Sequence, residues 1–253
     1  MSRRKDRKSQ TRSRVRYYLI GGIAVAAIIG YLLVSAAGHS HEGTSLTTTQ
    51  QTSASATSSG SKPVILYVDQ GNGVVNGSNL GELLSTATAQ RFNTIFFQVY
   101  RSGALLFTDS SLSQFVASAH GQGLKMFFAL YFTNTTQTIP HSIYADGEDG
   151  VNLDMSTLPI AAQTTLFNDL SSSYSGKTAI TTTDPTLPLK PGLLIVETYG
   201  TGNDQYIHPG IIASVGVFAT SSLQDYDQQY QYALANSDGV MVFDYAGLVK
   251  AGY

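Results

Sequence analysis

Two acids close short apolar runs: Asp154 after Val151-Asn152-Leu153, and Glu197 after Leu193-Leu194-Ile195-Val196. A carboxylate at the end of a buried strand needs a partner or a chemical task, because desolvating an unpaired charge is costly. Paired carboxylates are the usual apparatus for breaking a glycosidic bond. One gives a proton while the other attacks the sugar or activates water. On this reading Glu197 is the general acid and Asp154 the nucleophile or base. Asp154 lies in the densest acidic stretch of the chain, Glu148-Asp149-Gly150-Val151-Asn152-Leu153-Asp154-Met155.

Other polar and aromatic residues recur at the ends of similar runs. They are Asp69, Gln98, Tyr100, Arg101, Tyr131, Tyr199, Asp244 and Tyr245. A tyrosine offers a sugar both a flat apolar face and a hydroxyl, so Tyr100, Tyr131 and Tyr199 are expected to hold substrate. Arg101 is the expected ionic partner of Glu197. Any one of these residues would also suit a turn or a helix cap. Their recurrence at the same end of successive runs is what points to a binding surface.

The elements that must carry them are legible as changes of period. Short β-branched and aromatic runs, of the kind that parallel strands bury on both faces, occupy 64–69, 94–100, 125–131, 151–155, 178–183, 193–197, 211–218 and 239–244. Helix-like segments fall at 80–91, 111–122, 158–174 and 223–236. Eight strands alternating with helices predict a (β/α)8 barrel, whose active sites lie at the C-terminal strand ends. The 63–253 segment is short for such a barrel, which typically runs to about 250 residues. The links 184–192 and 199–210 carry Pro185, Pro188, Pro191 and Pro209 and leave little room for crossover helices. The expectation is therefore a reduced barrel lacking helices late in the chain. An open doubly wound sheet is the alternative.

Asp149-Gly150-Val151-Asn152-Leu153-Asp154, with Ile180-Thr181-Thr182-Thr183 after the next helix, resembles the fourth and fifth strands of glycoside-hydrolase barrels. It is similar to the chitinase family and to polygalactosaminidase-like glycosidase barrels. Segments 93–99 and 239–245 resemble their second and eighth strands. The resemblance implies a carbohydrate substrate and a catalytic carboxylate at Asp154. The chitinase motif places alternating acids before a catalytic Glu. Here Asp149 and Asp154 match the first and third acids, Asn152 replaces the second, and Ser156 stands at the Glu position. Substrate-assisted chitinase chemistry is not expected. A glycosidase using Asp154 with a second acid is one reading, and a non-catalytic glycan-binding or structural envelope protein is the other.

The N-terminus sets the expected location. Residues 1–16 hold eight of the 15 basic residues and one of the 17 acids, leaving an acidic remainder of seven basic and sixteen acidic residues. Residues 17–37 carry no charge and are long enough to cross a bilayer as a helix. By the positive-inside rule the tail is cytoplasmic and the 63–253 domain extracellular. Ser35-Ala36-Ala37 could also mark a signal-peptide exit site. Residues 38–62, rich in Ser, Thr and Gln, read as a stalk. The sequons Asn76-Gly77-Ser78 and Asn134-Thr135-Thr136 agree with an outside location. The expected partners are an envelope glycan and, through 17–37, a lipid bilayer. No nucleic acid is expected, because the basic tail abuts the spanning segment. No dinucleotide or phosphate loop and no His-Glu-x-x-His helix occurs, and the chain has no Cys. No cofactor or metal is expected.

Overall fold

The computed structural model describes residues 61–72, 75, 78–107, 109–144, 147–199, 204–219 and 222–253. The basic tail, the uncharged segment 17–37 and the linker up to residue 60 lie outside the described residues. Among those described, no helix is long and apolar enough to cross a membrane.

Among the described residues nine strands form one sheet: β1 (Val64–Val68), β2 (Thr94–Arg101), β3 (Ala104–Leu105), β4 (Lys125–Tyr131), β5 (Gly150–Asp154), β6 (Lys177–Thr182), β7 (Leu193–Glu197), β8 (Ile212–Val215) and β9 (Gly239–Phe243). Eight of them pair in parallel around a closed circuit, β1-β2-β4-β5-β6-β7-β8-β9, and β9 returns to β1. The two-residue β3 adds antiparallel to the end of β2. The fold is therefore a closed (β/α)8-type barrel, and the open doubly wound sheet is excluded.

Among the described residues five helices accompany it: α1 (Leu80–Ala89), α2 (Asp109–Gly121), α3 (Ile160–Ser173), α4 (Leu223–Asn236) and α5 (Tyr245–Ala251). The proline-bearing link from β6 to β7 has no helix, and among the described residues the β7–β8 link has only a 3-10 turn at Asp204–Tyr206. These are the late omissions the sequence suggests. A third omission has no such signal: among the described residues the β4–β5 link holds only a 3-10 turn at His141–Ile143. The short terminal α5 is also absent from the sequence reading.

Strand alternation divides the apolar residues into two cores. Ile65, Tyr67, Phe96, Phe127, Ile195 and Met241 fill the barrel interior. Leu66, Ile95, Phe97, Val151, Leu153 and Val242 face outward and pack with the helices. Gly150 belongs to the inner layer. A Cβ there would lie 2.3 Å from the Phe127 ring and 2.6 Å from the Lys177 carbonyl, so only glycine fits at this point of β5.

The chain is pinned where it joins the barrel. Lys62, assigned from sequence to the end of the linker, donates through Nζ to the carbonyls of Leu234 and Ser237 at 2.9 and 2.8 Å, at the C-terminal end of α4. Asn93 donates to the Lys62 carbonyl and accepts from the Val64 amide. These contacts lie at the N-terminal ends of the strands.

Candidate active site

The inward residues nearest the C-terminal strand ends surround one cleft of about 180 Å³, lined by Tyr67, Asp69, Gln98, Arg101, Tyr131, Asp154, Ser156, Glu197, Tyr199 and Phe243. Alternation explains its composition. On β1, Ile65 and Tyr67 point inward and Asp69 follows. On β5, Gly150, Asn152 and Asp154 do so, and Ser156 continues the series. On β7, Leu193, Ile195 and Glu197 are followed by Tyr199.

Asp154 is 4% exposed. The Tyr67 hydroxyl donates to its Oδ2 at 2.9 Å, and the Ser156 hydroxyl to its Oδ1 at 3.4 Å. Burial pushes its pKa up to about 7, and the charge of Glu197 adds to the rise. The Tyr67 and Ser156 hydrogen bonds oppose that rise without cancelling it. Glu197 is itself raised by burial, with Ser156 opposing. Ser156, at the position where the chitinase motif carries its glutamate, thus serves both carboxylates.

Tyr67 was not expected here, because it sits within an uninterrupted apolar run. Its parity with Asp69 was the available signal. The Gln98 amide nitrogen lies 3.4 Å from the Tyr67 hydroxyl, and Gln98 Oε1 accepts from the Gln70 amide at 3.1 Å. Tyr67, Tyr131 and Tyr199 are all held protonated above the ordinary tyrosine range, chiefly by burial and secondly by neighbouring carboxylates.

Arg101 does not pair with Glu197. Its Nη1 binds Asp69 Oδ1 at 2.5 Å, and its guanidinium stands 5.1 Å from the centre of the Tyr131 ring. Tyr100, Asp244 and Tyr245 are not brought to the cleft wall. Tyr100 packs outside the barrel, its ring 5.2 Å from Phe132. The cause is an irregularity in β2: Gln98 pairs with Ala129 but Tyr100 with Leu130, so Val99 is bypassed and the alternation resets. Such bulges re-aim side chains. This one turns Tyr100 outward and Arg101 inward. Asp244 caps α5, accepting from the Gly247 amide at 3.0 Å, and Tyr245 begins that helix and is buried in the outer core.

Two further acidic-motif residues have structural parts. Asp149 lies at the opposite end of the barrel, accepting from the Met126 amide and binding His120 Nε2, both at 2.8 Å. Asn152 is fully buried below Asp154, its Oδ1 accepting from Thr181 at 3.1 Å. A larger surface groove of about 690 Å³ runs between Thr135–Thr138 and α3, but Asp169 is the single acid lining it.

No protein-family model matches this chain, and no curated protein does. Among solved structures, the chain is similar to a noncanonic maltogenic alpha-amylase, AmyB, from Thermotoga neapolitana. The TM-score is 0.50 at 10% identity, over 74% of this chain and 68% of that one. What the likeness shows is the shared parallel (β/α)8-type barrel fold. A xylanase and alpha-amylase inhibitor protein from Scadoxus multiflorus aligns with TM-score 0.46 at 10% identity, over 76% of this chain and 96% of that one. Among the described residues no cluster of three or more His, Cys, Asp or Glu is set to hold a metal ion.

Proposed function

We propose that this protein is a membrane-tethered, outward-facing glycoside hydrolase that acts on an envelope or environmental polysaccharide. The observation that carries the proposal is the carboxylate pair. Asp154 and Glu197 stand on strands separated by β6, line one cleft with tyrosines, and share Ser156. Two carboxyl groups in a partly dry cleft, close enough that one charge shifts the other, divide into proton donor and proton acceptor.

The electrostatics favour one division. Asp154 keeps its proton up to about pH 7, and part of its rise comes from the negative charge of Glu197. We accordingly assign Asp154 as the acid and Glu197 as the base or nucleophile, the reverse of the roles expected from sequence. Tyr131 and Tyr199 line the cleft where the sugar would lie, and the Asp69–Arg101 pair forms part of its wall at the ends of β1 and β2. The tether is the uncharged segment 17–37, with the basic tail on the cytoplasmic side.

The test is reducing-end release from a polysaccharide panel by the full chain in detergent. The expected result is turnover by the parent and its loss in both Asp154→Asn and Glu197→Gln. Full turnover in either variant overturns the assignment. Protease added to intact cells should digest residues 63–253, and protection of that domain overturns the topology. A non-catalytic glycan-binding role is the second reading. It is favoured by Ser156 occupying the position of the chitinase glutamate, and it predicts glycan binding without turnover.

A further inference from the structure

Phe218 is the most exposed large apolar side chain among the described residues, at 61%. A single exposed hydrophobe is ordinary, but this one is built into the rim of the cleft. It lies in the 3-10 turn Val217–Ala219 immediately after β8. Its ring stands edge-on to Tyr199 with centroids 5.2 Å apart, and edge-on to Phe243 at 5.9 Å. Tyr199 and Phe243, whose own centroids are 6.0 Å apart, both line the cleft that holds the carboxylate pair.

The backbone accommodates this ring. A Cβ at Gly216 would come within 2.5 Å of Phe218 Cε1 and 2.9 Å of the Phe243 carbonyl. Any side chain at 216 would push the Phe218 ring away from Phe243. Tyr199 is fixed in turn, because its hydroxyl accepts from Ser214 Oγ at 3.0 Å. Three aromatic rings thus pack together, two tilted against each other inside the cleft and the third edge-on to both and reaching into solvent. Nothing in the described structure covers the third.

We propose that Phe218 extends the cleft wall of Tyr199 and Phe243 into a platform that stacks against a second pyranose ring, next to the ring held at Asp154 and Glu197. This rests on the carbohydrate reading above and deepens it. A pyranose presents C–H groups on its face and hydroxyls on its edge, so an aromatic ring set beside a polar cleft matches its two surfaces. The cleft of about 180 Å³ is small, and contact beyond it must come from its rim. The ligand class is accordingly an oligosaccharide of two or more rings, with single-ring glycosides making no use of Phe218.

The experiment uses full-length protein in detergent carrying Glu197→Gln, so that binding is read without turnover. It is presented with arrayed mono- to hexasaccharides of glucose, galactose, N-acetylglucosamine and galactosamine. Adding Phe218→Ala should weaken binding of ligands with two or more rings about 10-fold and leave single-ring binding unchanged. Phe218→Tyr should restore the longer ligands. Unchanged affinity at every length, or an equal loss at every length, overturns the platform while leaving the carbohydrate reading standing. Absence of binding to every glycan by the protein with Phe218 intact overturns the carbohydrate reading, and the platform with it.

Discussion

The Tyr67 hydroxyl donates to Asp154 Oδ2 at 2.9 Å inside the barrel, linking the ends of β1 and β5. Both residues are buried, so the bond bears directly on how easily Asp154 ionises. It lowers the pKa of Asp154 against the larger upward push of burial. Tyr67→Phe should therefore raise the pH at which Asp154 loses its proton to above about 7. Carboxyl carbon NMR across a pH series reads this directly, and an unchanged or lower midpoint would refute it. The same variant leaves a buried acceptor short of a partner and should cost about 1–2 kcal/mol in a denaturant melt at pH 8.

The raised pKa of Asp154 has a definite sign for stability. An unfolded aspartate titrates near 4, so between about pH 4 and pH 7 the folded state holds a proton that the unfolded state has lost. Stability contributed by this site is full below about pH 4 and falls as pH rises through 7. Asp154→Asn removes the titration. The variant should gain on the parent as pH rises, by on the order of 4 kcal/mol at pH 8 compared with pH 4. Paired melts at the two pH values check this, and a gap that narrows with rising pH would contradict it.

Removing Glu197's charge should act in the opposite direction to removing Tyr67's hydroxyl. Glu197→Gln takes away the second cause of Asp154's rise, so the Asp154 midpoint should fall. If the pair is catalytic, turnover should drop about 100- to 10,000-fold in the same protein. A lower midpoint with no change in turnover would separate the electrostatic coupling from the catalytic role.

Gly150 supplies a test of the barrel interior that is independent of the site. Gly150→Ala drives a methyl group into the Phe127 ring and the Lys177 carbonyl. Overpacking of this kind typically costs about 1–3 kcal/mol, and the upper end is expected because one of the obstructing atoms is backbone. A thermal melt within error of the parent would show that β5 can shift to accommodate the methyl group.

The strands were legible because each is a compact apolar run with sharp ends. Lys125–Tyr131 and Leu193–Glu197 coincide with their sequence ranges, and Leu223–Asn236 does so among the helices. The late missing helices were legible from proline and short links. Side-chain direction was less so. Alternation counted back from Asp154 and Glu197 would have drawn in Tyr67 and Ser156. It would not have separated Tyr100 from Arg101, because their directions depend on the bypass of Val99 in β2, and no residue type there announces it. Asp244 was misread because a strand-end acid and a helix N-cap look alike in sequence until the following helix is known.

Lys62 fixes the end at which the chain enters the barrel. It ties the incoming chain to the C-terminal end of α4, at the mouth opposite the carboxylates. Strands of four to eight residues, at about 3.3 Å each, put roughly 20 Å of barrel between that attachment and the cleft. A pull or a substitution at the entry point is therefore met first by α4 and the start of β1, and the carboxylate pair is insulated from it by the depth of the barrel.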